Sequence, residues 1–332
     1  LAMGPGVGAH HRNATGANLA ALILDVEKGE ALAYIGNADG AGTEHSTAVD
    51  IILNSLVLGG VFLIVAIGLN IIYGLSRVMN LAHGSLYAIG AYAGYTLVAT
   101  GLNYFVAILI TPFAVAAVGL LLERSIIAPM RKRSMIYTLI ITYGLMFLLD
   151  GIIKHVWGNE PRFIELPTFI RDTVPILGTH YPVFRLVTLL ITAATMTGLM
   201  LFLSKTKIGM ILRAASTIPE MVSCLGINMN YVHIGAFVLG CALAGIAGTI
   251  AGPLTTIDPL MGHEMLISSF VVIVIGGLGS LRGAVIAALL IGFVQTLAEF
   301  FITDLAMVIV YMLMALILAF MPRGLLGEGK FE

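Results

Sequence analysis

The sequence predicts an all-α integral membrane protein, a polytopic bundle of about 8–9 transmembrane helices in which some segments are broken or re-entrant. Composition is the first ground: 59% of the 332 residues are hydrophobic and 11% charged, whereas soluble domains carry about 25% charged residues. The second is length, because apolar runs of about 20 residues, enough to cross roughly 30 Å of hydrocarbon, recur along the chain. The third is glycine: 38 of them fit a compact bundle with interrupted helices rather than a wide pore. A formal net charge of −1 gives no reason to invoke nucleic acid. Cys224 and Cys241 fall in a loop and in the next helix, so neither a structural disulfide nor a metal site is expected. No cofactor is implied.

Residues 1–49 form a polar N-terminal extension without the compact apolar core of a cleaved signal peptide. Leu22, Leu24 and Val26, then Ala31, Ala33 and Ile35, alternate around Lys28-Gly29 and predict a small β-hairpin. The run ANLAALILDVEKGEALAYIGNAD resembles a short piece of the transpeptidase domain of bifunctional penicillin-binding proteins. It lacks the Ser-x-x-Lys nucleophile such enzymes need. No activity is expected of it, and a fusion remnant or mis-set start is the expected origin.

The transmembrane domain follows as residues 50–322, then a short cytoplasmic tail, residues 323–332. Apolar periodicity places helices near 50–73, 78–100, 104–122, 135–157, 184–204, 231–253, 264–280, 283–301 and 304–322. The stretch 74–90 is too polar for a plain lipid-facing helix, and GGLGSLRG interrupts 264–301, so the breaks are expected there. Small residues at four-residue spacing (Gly240, Ala244, Gly248 and Gly252; Ala284, Ala288 and Gly292; Gly90 and Gly94) predict close helix contacts. Residues 123–134, 205–230 and the C-terminus, with Arg77 and Arg282, gather 11 of the 17 Lys and Arg. That side is therefore expected to be cytoplasmic, with the N-terminus outside.

The strongest intramembrane candidate is Asn80-Leu81-Ala82-His83-Gly84-Ser85. Polar groups at membrane depth face a cavity or another helix, and Asn80 and His83, three apart, share a face if the segment is helical. Gly84 permits close backbone approach or a break that frees carbonyls, a device transporters place beside their sites. The segment reads either as a substrate path or as a hydrogen-bonded kink. Asp150 and Lys154, at i and i+4, read as a structural pair rather than a proton relay. Glu299 and Asp304 flank an outward turn and are expected to be solvated; His233 is expected at the interface.

The polar, basic loop 205–230 contains a short amphipathic helix. Ala214, Ile218, Met221, Val222 and Leu225 recur at helical spacing opposite Thr217 and Glu220. Pro219 suits a first turn, so the helix is expected to start near Ile218, and Gly226 suits its stop. It either lies on lipid or docks a partner. The GLLGEGK of residues 324–330 matches a phosphate loop only on paper, because Phe331 stands where Ser or Thr is required and the chain ends at Glu332. Any ATP-driven motor must then be another subunit.

Several stretches, in order, resemble the permease subunits of branched-chain amino acid ABC importers, nearest to the first of the paired permeases. They are GLNIIYGLSRVMNLAHGSLYAIGAY (68–92), ERSIIAPMRKR (123–133), RAASTIPEMVSCLGIN (213–228), AGIAGTIAG (244–252), FVVIVIGGLGSLRGAVIAALLIGFVQTL (270–297) and MPRGLLG (321–327). The resemblance implies a second homologous permease subunit, two cytoplasmic ATP-binding subunits and a periplasmic or lipid-anchored substrate-binding protein. All would work in a bacterial-type plasma (inner) membrane, in contact with its lipid. The family's N-x-A-H-G segment maps onto Asn80, Ala82, His83 and Gly84, and with Ser85 it implies a substrate pathway. The family's G-G-x-G-S segment adds Gly276, Gly277, Gly279 and Ser280 to that pathway. Arg213, Ala214, Ala215, Glu220, Leu225 and Gly226 fall in the loop that couples permease to ATPase. Pro219-Glu220 departs from the family pattern and leaves the helix start open.

The resemblance therefore implies an ATP-driven importer of branched-chain amino acids, with urea or short amides as the alternative cargo, and no enzyme activity in this chain. An ion-coupled transporter acting alone would need a mid-membrane carboxylate relay, and the acidic residues fall near helix ends. A membrane enzyme finds no nucleophile with a base in residues 1–49.

Overall fold

The structure, a computed structural model, describes residues 44–326 except 78, 132, 168, 169, 177 and 178, together with two short strands in the extension. Those strands, β1 (Leu24–Asp25) and β2 (Glu30–Ala31), pair antiparallel with Leu24 opposite Ala31, where the alternation predicts a hairpin. The rest of the transpeptidase-like run lies outside the described residues, as do Lys330 and the end of GLLGEGK.

The helices are α1 (Glu44–Ser76), α2 (His83–Ala99), α3 (Tyr104–Leu122), α4 (Met135–Trp157), α5 (Val183–Lys205), α6 (Lys207–Thr217) and α7 (Pro219–Cys224). Then come α8 (Met229–Ala251), α9 (Met261–Gly276), α10 (Leu281–Phe301) and α11 (Ala306–Phe320). α3 runs on through a π-helical turn, Glu123–Ile127, and a last turn, Ala128–Met130. Before α5, β3 (Thr173–Ile176) and β4 (Thr179–Pro182) make an antiparallel hairpin. Each predicted span has its helix among the described residues. Six of them, α1, α3, α4, α5, α8 and α10, are long and apolar enough to cross a membrane. The other three, α2, α9 and α11, are 17, 16 and 15 residues, about 25 Å or less. α1 already begins at Glu44, so the boundary expected after residue 49 cuts through a helix.

α1 and α8 form the centre. About 78% of the apolar window of α1 and 67% of that of α8 are buried, against 22% for α5. α5, α8, α9 and α10 pack on α1, and α2 and α3 pack on α8. The small-residue stripes lie at these crossings. A Cβ on Gly59 would sit 2.9 Å from the Ala288 carbonyl oxygen, one on Gly68 2.9 Å from that of Gly240, and one on Gly90 2.7 Å from that of Gly245. Lipid offers no hydrophobic drive between helices, so this backbone proximity supplies the dispersion contact that holds them. Glu299, expected to be solvated, is half-buried and accepts a 2.9 Å hydrogen bond from Gln295 Nε2.

The predicted span 78–100 is broken at its start. Arg77 takes a positive φ of 54°, and Asn80 Oδ1 accepts from Ala82 N at 3.2 Å, a local bond that competes with helix. α2 then begins at His83, whose Nε2 lies 3.2 Å from the Val65 carbonyl. Val65 is eleven residues inside the end of α1, about 16 Å along its axis. The chain thus leaves the end of α1 and starts α2 well back along its length. α9 starts beside it, since a Cβ on Gly84 would run into the Gly262 carbonyl.

Candidate functional site

Two helix starts therefore meet inside the bundle, and a carboxylate stands between them. Asp150 on α4 is 4% exposed. Ser85 Oγ on α2 donates to its Oδ1 at 2.7 Å, and His263 Nε2 on α9 lies 2.6 Å from its Oδ2. Ser85 and His263 are each third in their helices, so both positive helix ends face the carboxylate. The Asp150–Lys154 pair read from the sequence is not formed this way: Lys154 is exposed, and Asp150 turns inward to Ser85 and His263. Asp150 lies between the other two, so the imidazole does not abstract from the serine hydroxyl. Nucleophile activation needs the base on that hydroxyl; this cluster is a polar staple joining α2, α4 and α9.

The other predicted positions divide between staples and an opening. Asn80 stands before α2 rather than on it, so it shares no helix face with His83. His83 and Ser85 are fully enclosed, and Gly84 is the close-approach point. Gly276 ends α9, and Gly277, Gly279 and Ser280 form the turn to α10, where Gly277 and Gly279 take φ of 101° and 86°. Ser280 Oγ caps α10 by accepting from Gly283 N at 3.1 Å, and Gly279 N donates to Asn70 Oδ1 on α1 at 2.9 Å. Both segments thus bond to α1, through Val65 and through Asn70, five residues apart. Leu325 N and Leu326 N donate to the Ile275 and Gly276 carbonyls and close the turn from outside.

Asn80 opens onto a cavity of about 420 Å³ between α1, α8, the start of α4 and the turn after α3. Glu123, 1% exposed, and Arg131 form an ion pair on its wall. Arg131 Nη1 also donates to Asn230 Oδ1 at 3.3 Å, and partial burial pulls its guanidinium below the usual arginine value. Arg77, Arg133 and His233 add further charged or titratable lining, Ser76, Thr138 and Thr142 add hydroxyls, and Ile72, Leu75, Ile127 and Phe237 supply apolar wall. The Asn80 Nδ2 donor is buried without a partner, as is Asn70 Nδ2.

In the basic loop the amphipathic run is two helices. Arg213, Ala214 and Ala215 lie in the C-terminal half of α6, with Ala215 packed at 2% exposure. α7 starts at Pro219 with Ile218 as its cap and is followed by Gly226 at φ 79°. Val222 turns into the protein, while Ile218, Met221 and Leu225 are 45%, 60% and 74% exposed on one side, with Glu220 also exposed.

Sequence reasoning missed Asp150 as a cluster centre, His263, Asn70 and Glu123 as cavity wall. The first and last were visible as single acids in apolar helices, where a buried charge demands a partner. Asn70 lay inside an apolar run with nothing to mark its use.

The model of the family described as "Branched-chain amino acid transport system / permease component" matches residues 51–318. The "High-affinity branched-chain amino acid transport system permease protein BraD" of Pseudomonas aeruginosa is 30% identical over 85% of this chain and 96% of its own length. LivH of Escherichia coli K12, of the same description, is 28% identical over 84% of this chain and 95% of its own. LivM of that strain is 29% identical over 80% of this chain, but only 68% of LivM is covered. With a match spanning all of α2–α10, this chain belongs to the family of permease components of branched-chain amino acid transport systems.

Proposed function

We propose that this multi-pass inner-membrane permease conducts branched-chain amino acids inward as one of a pair of permeases driven by two cytoplasmic ATP-binding subunits and supplied by a substrate-binding protein. The family match across residues 51–318 carries the reading. In its support, the breaks between α1 and α2 and before α9 place helix starts and free polar groups at membrane depth, as transporters do beside their paths. Residues 1–49 stand outside and the arginine-rich turn, the loop 205–230 and the tail 323–332 face the cytoplasm, by the balance of Lys and Arg.

The coupling surface is Met221 on α7 with the caps Ile218 and Leu225 at its two ends, and Glu220 and Arg213 go with them. An exposed apolar row on an otherwise polar loop suits a groove in an ATPase. Ala215 lets α6 lie close to the bundle, Ala214 stands with Arg213 on its exposed side, and Gly226 ends the docking segment. ATP binding draws α7 toward the ATPase dimer and rocks the helices that it contacts, α8 among them. The substrate path runs by Asn80. His83, Gly84 and Ser85 hold the start of α2 along it, and Gly276, Gly277, Gly279 and Ser280 hold α9 to α10 at its cytoplasmic end.

Uptake of labelled leucine, isoleucine, valine and urea by cells lacking the chain, with and without restoration, tests the cargo. Restored leucine uptake that Gly226→Arg abolishes supports both transport and coupling. Urea uptake alone would transfer the reading to the amide carriers. Uptake in liposomes holding only this chain would remove the motor.

A further inference from the structure

We infer that the cavity beside Asn80 is a binding site for the zwitterionic head of an aliphatic α-amino acid, with Glu123 taking the ammonium, Arg131 and Asn80 the carboxylate, and the apolar wall the side chain. The inference rests on the transport reading above and assigns the cargo a release-side station within this one permease.

The volume, about 420 Å³, falls within the roughly 300–1,000 Å³ of small-molecule sites. Its chemistry is more telling. A structural ion pair in an apolar interior gives little stability, since desolvating both charges offsets their attraction. Glu123 and Arg131 nevertheless form one on the wall of a cavity. That arrangement suits a guest that carries one charge of each sign and can lie against both at once.

Asn80 adds an independent observation. Its amide Nδ2 is enclosed and has no partner, and Asn80 is among the residues that line this same cavity. An unpaired buried amide donor costs about 1–3 kcal/mol, and a carboxylate oxygen beside it would remove that cost. Arg77, beside Asn80, holds a positive φ without being glycine, a backbone state that persists where surrounding structure enforces it, often at binding sites. Three arginines and one glutamate line the space, so the lining receives a carboxylate readily and reserves one acceptor for an ammonium. Ile72, Leu75, Ile127 and Phe237 supply apolar surface suited to a branched aliphatic chain.

Equilibrium binding of radiolabelled L-leucine to the full chain in nanodiscs, without the substrate-binding protein, is the test. Competitors are leucinol, which lacks the carboxylate, and 4-methylpentanoate, which lacks the ammonium. Leucine should displace the label at least tenfold better than either, and Glu123→Gln and Arg131→Gln should each weaken binding roughly tenfold, which is about 1.4 kcal/mol. Met135→Trp narrows the exposed mouth with the ion pair intact, and should also weaken binding if the charge variants fold poorly. Equal displacement by 4-methylpentanoate would make this an anion site, open to lipid phosphate, and overturn the inference. So would binding unchanged in all three variants while cells still need the chain for leucine uptake, a result that leaves the transport reading standing. If uptake is independent of the chain, the transport reading falls and takes the site with it.

Discussion

Asp150 and Glu123 are both carboxylates buried in apolar helices, and they are treated in opposite ways. Asp150 has both oxygens engaged, by Ser85 and His263, with two helix starts behind those partners. Glu123 has an arginine, and next to that pair is open space lined by Asn80, whose Nδ2 donor has no partner. A charge closed on all sides fixes three helices to one another. A charge that faces a cavity is held ready for something that comes and goes. Burial alone does not separate the two cases; the state of the neighbouring polar groups does.

The closed cluster depends on the approach of α2 to α9, so the largest effect is expected there. Gly84→Val drives a branched side chain into the Gly262 carbonyl and the Leu266 side chain, where neither backbone can yield cheaply. A destabilisation of about 3 kcal/mol is expected, seen as a loss of monodisperse protein in detergent and a lower unfolding midpoint. A variant that melts like the parent would mean that α2 and α9 do not meet in the membrane.

Asp150→Ala comes next. It removes the acceptor for His263 and leaves the Ser85 hydroxyl, enclosed at 0% exposure, with only the Met146 carbonyl 3.4 Å away. Hydrogen bonds within membrane bundles contribute less than their burial suggests, and His263 is partly exposed, so about 2 kcal/mol is expected. Leucine binding by the folded fraction should hold. Glu123→Gln should do the reverse, costing about 1 kcal/mol because the cavity lets water reach Arg131, while binding falls. If the two variants lose stability and binding in the same proportion, the contrast between staple and site is lost.

How much of this was legible depends on whether a feature is local. The helices declared themselves through runs of apolar residues, and the crossings through four-residue spacing of Gly and Ala: Gly90, Gly240 and Ala288 stand at contacts. Pro219 and Gly226 marked the two ends of α7 because each acts on the backbone at its own position. Asp150 misled because the sequence offers Lys154 four residues on, while its partners are 65 and 113 residues away. Asn80 and His83 looked like one helical face only while the segment was taken as helical; the bond from Ala82 N to the Asn80 side chain stops the helix short. Glu123 sat in a stretch quoted for its resemblance alone, and nothing in one dimension shows that a cavity lies beside it.

The smallest effect on stability, and the sharpest on function, is expected outside the bundle. Leu225→Asp alters a side chain that is 74% exposed at the end of α7, so the isolated chain should melt within about 0.5 kcal/mol of the parent. Leucine binding at the Glu123 cavity should also be unchanged, because α7 supplies none of its lining. Uptake in cells should nevertheless fall steeply, since a carboxylate buried in an apolar ATPase groove has no partner there. Val222→Asp, one turn away and 3% exposed, separates the two sides of the same short helix: it should destabilise the chain itself. A Leu225→Asp chain that binds leucine, melts normally and still imports it would leave the exposed row of α7 lying on lipid, with coupling to be sought elsewhere on the cytoplasmic face.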